Sequence, residues 1–406
     1  MSGQSGVTRR SVLLGAAAAG LVGAAAPASG LLRGATGTAT ADHALIPDTS
    51  KPPLWRTAAR RGIVYGSALA TWQFDGTYEK LFKREAAIVF TQDDLLWYVL
   101  KPTPKSKLDF TLSDQIIGFA ERNGQLVYGG PGLVWDEGFG DGWTDDDLWG
   151  LKEKPARELL FGTLEHVIRR YRGRVATWCV CNEVITNDPG QSRHGLRTDV
   201  PWIHTIGPEY VSHAFRLAHQ TDPDALLVLN DFGYETVNQY GDRADFKRNA
   251  TLRVLDRLLG EGVPIHALGI QAHLLGYRFA ERFHPNAYRT FLCEVADRGL
   301  KILITEMDVN DDGLPADRHR RDPMIADIYR RYLDTTLDEP AVAAVMSFGL
   351  SDRYTSLQED YPPQDFQYRR PLPFSRRLQP KPAFYAISHS LRHAVRRWPT
   401  FEIPRG

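Results

Sequence analysis

A closed (β/α)8 barrel is the fold class that this sequence predicts, from three observations. Short β-rich apolar runs recur eight times at a spacing of roughly 40 residues, with longer amphipathic stretches between them, which is a βα rhythm. The runs show no polar alternation, so each strand is expected to be buried on both faces, as in a parallel sheet. A doubly wound open sheet would want a glycine-rich phosphate turn after an early strand. Tyr128-Gly129-Gly130-Pro131-Gly132 lacks the G-x-G-x-x-G spacing and is not followed directly by a helical pattern.

From the N-terminus, residues 1–30 stand apart from the fold. Thr8-Arg9-Arg10-Ser11-Val12-Leu13-Leu14, an Ala/Gly-rich apolar stretch to Val22-Gly23 and the small residues Ala24-Ala25-Ala26-Pro27-Ala28 read as a twin-arginine export signal, which places the mature protein in the periplasm or outside the cell. The stretch is short for a membrane anchor, and no later span reaches the ~20 apolar residues of a crossing helix, so no stable membrane insertion is expected after signal removal. Residues 31–54 are expected to form a flexible leader, 55–396 a single catalytic domain and 397–406 a C-terminal tail. The roughly 350 residues after the leader suffice for one large core.

The strand-like runs are, in order, Ile63-Val64-Tyr65-Gly66, Ala87-Ile88-Val89-Phe90, Leu126-Val127-Tyr128-Gly129, Val175-Ala176-Thr177-Trp178-Cys179-Val180, Leu226-Leu227-Val228-Leu229, Leu268-Gly269-Ile270-Gln271, Ile302-Leu303-Ile304-Thr305 and Val342-Ala343-Ala344-Val345-Met346. Helices are expected over Pro155 to Tyr171 with proline in the first turn, Tyr210 to Gln220, Phe246 to Leu259, and Pro285 to Arg298 closed by Gly299. Eight such units closing on themselves build their active site at the C-terminal ends of the strands.

Lys+Arg and Asp+Glu both number 49, so nothing draws the whole chain toward nucleic acid or an anionic surface. The basic clusters Arg169-Arg170-Tyr171-Arg172-Gly173-Arg174 and Arg318-His319-Arg320-Arg321 are read as solvated helix ends. Three cysteines make no disulfide framework. Cys179 and Cys181 share one strand and Cys293 lies in a helix; all three are expected to fill core. No Cys/His pair has metal spacing, so neither a metal nor another cofactor is expected. A monomer is expected.

Two runs end in a carboxylate: Val180-Cys181-Asn182-Glu183 on the fourth and Ile304-Thr305-Glu306 on the seventh. Hydrolysing a glycosidic bond with retention needs a protonated carboxyl to donate to the leaving oxygen and an ionised one about 5–5.5 Å away to attack the anomeric carbon. Glu183 and Glu306 are the candidates, converging across the barrel mouth. Because side chains two apart share a strand face, Cys181 and Ile304 are expected to point into the barrel with them. Gln271 and His273 end the sixth run beside Glu306.

These residues resemble the family 10 glycoside hydrolases, secreted (β/α)8 xylanases that cleave β-1,4-xylan with retention, over about residues 60 to 392. Trp178-Cys179-Val180-Cys181-Asn182-Glu183 resembles W-D-V-V-N-E, and Ile304-Thr305-Glu306-Met307-Asp308-Val309 resembles I-T-E-L-D-I. Asp222-Pro223-Asp224-Ala225 with Leu229-Asn230-Asp231-Phe232 is similar to D-P-x-A…N-D-Y, Leu268-Gly269-Ile270-Gln271-Ala272-His273-Leu274 to I-G-x-Q-x-H-L, and Pro371-Leu372-Pro373-Phe374 with Pro380-Lys381-Pro382-Ala383-Phe384-Tyr385 to P-L-L-F…P-K-P-A-Y-Y. The resemblance implies Glu183 as general acid and then base, Glu306 as nucleophile, Asn182 on the sugar 2-hydroxyl, Gln271 as a substrate contact, and His273 with Asp308 as support of the nucleophile.

The sugar-binding wall departs from that pattern. T-P-E-N-E-M-K-W becomes Thr91-Gln92-Asp93-Asp94-Leu95-Leu96-Trp97-Tyr98, so a lysine is replaced by Trp97. G-H-T-L-V-W-H becomes Gly130-Pro131-Gly132-Leu133-Val134-Trp135-Asp136, losing both histidines and keeping Trp135, and W-G-V becomes Phe348-Gly349-Leu350. Trp135, Trp97 and Phe348 are expected to stack on sugar; Asp93 and Asp94 either bind sugar hydroxyls or cap a helix. The expected substrate is xylan or a related plant polysaccharide. A catalytically weak or non-catalytic carbohydrate-binding barrel is the alternative, for which the lost lysine and histidines speak.

Overall fold

The computed structural model describes residues 51–236, 243–363 and 368–404. The export signal and residues 31–50 of the leader lie outside the described residues. Eight strands, β1 (Val64–Ala68), β2 (Ile88–Phe90), β3 (Leu126–Gly129), β4 (Thr177–Asn182), β5 (Leu226–Asp231), β6 (Ala267–Ile270), β7 (Lys301–Asn310) and β8 (Val342–Ser347), overlap the eight runs expected from the sequence. Each pairs in parallel with the next, and β8 pairs back onto β1 with Val64 opposite Ala344, closing the ring. The expected helices form as Glu153–Tyr171, Tyr210–Thr221, Ala244–Gly260 and Pro285–Asp297. Pro285 opens the last of these and Gly299 follows it at φ +79, the left-handed backbone that glycine accepts without a Cβ clash.

Two apolar layers hold the barrel. Cys179, Val228, Leu303 and Met346 meet inside it, while Cys181, Leu229, Ile304 and Val345 pack outward with the helices. The expectation that Cys181 and Ile304 point inward is therefore corrected. The register shifts between Cys179 and Cys181 on β4 and between Ile304 and Met307 on β7. An extra residue in a strand reverses the face of everything after it. The β7 bulge thus brings Glu306 to the mouth although Ile304 packs outward, whereas on β4 the bulge turns Cys181 outward and the left-handed backbone of Glu183, φ +55, returns its side chain to the mouth.

Two further expectations change. Cys293 is exposed on its helix rather than in the core. Arg318 to Arg321 open the helix Arg318–Thr336, the end at which the dipole repels cations, and Arg321 is buried against Asp311 at 3.4 Å instead. The C-terminal stretch folds onto the barrel: Arg397 donates to the carbonyls of Leu337, Glu339 and Val342, and Phe401 and Ile403 pack against the inner core. Among the described residues, no helix is long and apolar enough to cross a membrane.

Candidate active site

β4 delivers Glu183 to the mouth in a left-handed backbone conformation, φ +55. A non-glycine residue held there costs on the order of 1–3 kcal/mol and persists only where its surroundings fix it. They do: the Glu183 amide donates to the Asn230 carbonyl at 2.9 Å, and its own carbonyl accepts from Arg197 Nη1 at 3.1 Å. Arg197 is in turn held by Asp136 at 3.2 Å and Asp199 at 2.9 Å. The Glu183 carboxylate accepts from Gln271 Nε2 at 2.8 Å. Burial pushes its pKa up to about 7; the Gln271 hydrogen bond and Arg197 pull it down, while the charges of Asp231 and Glu306 add to the rise.

Glu306 sits within the β7 bulge, its amide bonded to the Gln271 carbonyl at 3.0 Å. Oε1 accepts from Asn230 Nδ2 at 2.8 Å, and Oε2 faces His273 Nε2 at 3.4 Å. His273 Nδ1 meets Asp308 Oδ1 at 2.9 Å. Burial opposes a charge on this imidazole, but Asp308 and Glu306 outweigh it and hold His273 well above its ordinary value, so the ring donates to both carboxylates. Ala272, at φ +62, turns the chain between Gln271 and His273 so that both reach the mouth.

The two glutamates are joined by amides, of which Asn230 and Gln271 each use both of their hydrogens. Asn230 Nδ2 also donates to Asn182 Oδ1 at 2.9 Å, Gln271 Nε2 reaches the same oxygen at 3.3 Å, and Thr305 fixes the orientation of Asn230 by donating to its Oδ1 at 2.8 Å. Gly269 makes room for this, since a Cβ there would lie 2.2 Å from Asn230 Oδ1. Below the site Asp231 and Lys247 form a buried pair at 2.7 Å, and Lys247 also binds the Ile185 carbonyl at 2.8 Å, bracing the loop after Glu183. An acid must carry its proton, so with Glu183 near 7 the kcat/KM for a glycoside with a poor leaving group should fall about tenfold per pH unit above that value. A pH–rate profile with its basic limb several units higher would contradict this.

Of the residues singled out in the sequence, Asp93, Trp135, Asn182, Glu183, Gln271, His273, Glu306, Asp308 and Phe348 line one cavity at the C-terminal mouth. Asp94 and Trp97 do not. Asp94 accepts from the Thr71 amide and hydroxyl, both at 2.9 Å, and so caps a short turn, the second of its two expected roles. The reading of Trp97 as a sugar-stacking residue is corrected: only 3% exposed, it stacks on Phe139 at 4.6 Å and donates to the Leu133 carbonyl. Trp97→Ala should cost about 3–5 kcal/mol of stability, as for other buried aromatics, rather than raise KM; denaturant melts beside KM on one substrate separate the two. Asp136, where the resemblance has a histidine, faces Arg197.

Sequence reading passed over Asn230 and Arg197 as site residues. Asn230 had a signal, since Leu229-Asn230-Asp231 ends an apolar run in polar residues just as Cys181-Asn182-Glu183 does. Arg197 had none, lying in a small hairpin of Ser192–Arg193 and Leu196–Arg197 with no periodicity.

Residues 54–390 match the family model described as Glycosyl hydrolase family 10. The chain is 30% identical over 322 residues to endo-1,4-beta-xylanase B of Thermotoga neapolitana, covering 79% of this chain and 84% of that protein. It is also 30% identical over 336 residues to a beta-1,4-xylanase of Dictyoglomus thermophilum, covering 76% and 83%. Among solved structures, xylanase 10B of Thermotoga petrophila RKU-1 in complex with xylobiose superposes with a TM-score of 0.72 at 28% identity, over 84% of this chain and 97% of that one.

Proposed function

The chain belongs to glycosyl hydrolase family 10, and from that membership and the geometry of its mouth we propose that it cleaves β-1,4-xylan or a closely related β-linked plant polysaccharide by double displacement, with retention. The observation that carries the proposal is the pair Glu183 and Glu306 in one cavity, joined through Gln271, Asn182 and Asn230 and assigned opposite tasks by their surroundings. Burial keeps a proton on Glu183 near neutral pH. Glu306 is oriented by Asn230 and by a His273 that Asp308 holds in its donating form. In this reading Asn182, buried between the two, binds the 2-hydroxyl of the reacting sugar, a contact that strengthens in the oxocarbenium-like transition state. Such an aligned acid and nucleophile favours catalysis over a barrel that only binds. The 1,4-linked relatives and the bound xylobiose of a structural neighbour support the choice of substrate.

The wall sets a preference within that class. Pro131 lines the cavity and brings no donor where the resemblance has a histidine, and unmatched hydroxyls are costly. Plain linear xylan should accordingly be a weaker substrate than a decorated xylan or another β-linked glycan. Reducing-sugar release over a panel of linear xylan, decorated xylans and other β-1,4-glycans tests both levels. Release from a xylan supports the reading, release from none of the panel overturns it, and linear xylan as the best substrate overturns the preference.

Export by the twin-arginine route is part of the same proposal, on the strength of Arg9-Arg10 ahead of a weakly apolar stretch. Replacing both arginines by lysine should leave precursor in the cytoplasm; undiminished export of that double variant would point to the general secretory route.

A further inference from the structure

Beyond the cavity wall stands an aromatic side chain that the catalytic arrangement does not use. Trp72 is 58% exposed, yet its ring is held by a hydrogen bond and an aromatic contact. Its indole Nε1 donates at 2.7 Å to Asp93 Oδ2, and Asp93 is itself part of the cavity lining. The turn that carries it, Thr71–Gln73, is fixed from beneath by Asp94 through the Thr71 amide and hydroxyl, and closed by Gln73 Oε1, which accepts from the Ala70 amide at 3.1 Å. It meets Tyr354 edge to face, with ring centroids 5.7 Å apart and an interplanar angle of 84°; the Tyr354 hydroxyl donates to Asp75 at 2.7 Å, where Arg353 also binds. Thus the neighbouring aspartates divide the work, Asp94 setting the turn and Asp93 orienting the ring.

An isolated exposed aromatic needs no explanation. A ring oriented by a carboxylate of the catalytic cavity, with a face left open at the rim, is different, because the entropy of ordering it has already been lost before any ligand arrives. Sugar rings present a C–H face that stacks on such a surface, while their hydroxyls take polar partners such as Asp93.

We propose that the open face of Trp72, with Asp93 beside it, is a further sugar-binding subsite, which takes a neutral pyranose unit of the same β-linked chain that is cut between Glu183 and Glu306. The inference rests on the glycan-hydrolase reading above and adds to it a subsite outside the cavity. A unit stacked there lengthens the bound chain and ties affinity to chain length, since only substrates that reach from the glutamates to the rim gain the contact.

The test compares wild type, Trp72→Ala and Trp72→Phe on an aryl xylobioside and on xylo-oligosaccharides from xylotriose to xylohexaose. For Trp72→Ala the loss in kcat/KM should grow with chain length to about tenfold on xylohexaose, through KM rather than kcat, as expected for one aromatic face that binds ground and transition states alike. Trp72→Phe, which keeps a ring, should recover most of it. Equal losses at every length, or no loss on xylohexaose, overturn the subsite. A wild-type enzyme inactive on all of these compounds and on the polysaccharide panel above would instead defeat the functional reading on which it rests.

Discussion

Glu306→Gln is expected to abolish turnover on every glycoside, whatever its leaving group. The amide is isosteric and its oxygen can still accept from Asn230, so the site should keep its shape, but it cannot form the covalent glycosyl intermediate. The loss should be on the order of 10⁴-fold or more in kcat, the scale on which removal of a covalent nucleophile is felt. The variant should still bind oligosaccharide, which calorimetric titration would show beside the lost rate. Residual turnover within about a hundredfold of wild type would place the nucleophile elsewhere.

The second large effect separates the two carboxyls. Glu183→Ala removes the proton donor, so natural glycosides, whose leaving oxygen must be protonated, should lose about 10²–10⁴-fold. Aryl glycosides with acidic phenols leave without that proton. Their first step should be nearly spared, with the later hydrolysis of the intermediate slowed for want of a base, so that the intermediate accumulates and a burst of phenol appears in stopped-flow. Equal losses on both substrate types would remove the assignment of Glu183 as acid. The geometry explains the asymmetry: among the described residues the Glu183 carboxylate accepts only from the neutral amides of Gln271 and Asn182, whereas Glu306 lies between Asn230 and a His273 paired with Asp308.

Both carboxyls and the barrel were legible in the sequence because their signals are local. A buried parallel strand is a run of apolar residues, and a carboxylate ending it stands out, as Glu183 and Glu306 do. What was not legible arises between strands. The shifts at Cys179/Cys181 and Ile304/Met307 are properties of pairing, and no residue in Thr177–Asn182 or Lys301–Asn310 announces them, so the inward and outward faces of Cys181 and Ile304 came out reversed. Trp97 entered the sugar wall only by its place in a resembling motif. The short helix Trp97–Leu100 turns it instead under Phe139, a contact between loops after β2 and β3 that periodicity does not register. Asp93 and Asp94, chemically alike and adjacent, take different tasks because one meets Trp72 and the cavity and the other meets Thr71.

The central claim is that Glu306 attacks the sugar while Glu183 manages the proton. The most direct test is proton NMR of the first-formed product during hydrolysis of a β-linked xylo-oligosaccharide. Double displacement predicts that the β-anomer appears first and the α-anomer only by later mutarotation. Initial appearance of the α-anomer would mean a single displacement by water and would contradict both roles, nucleophile for Glu306 and acid for Glu183 in a two-step reaction.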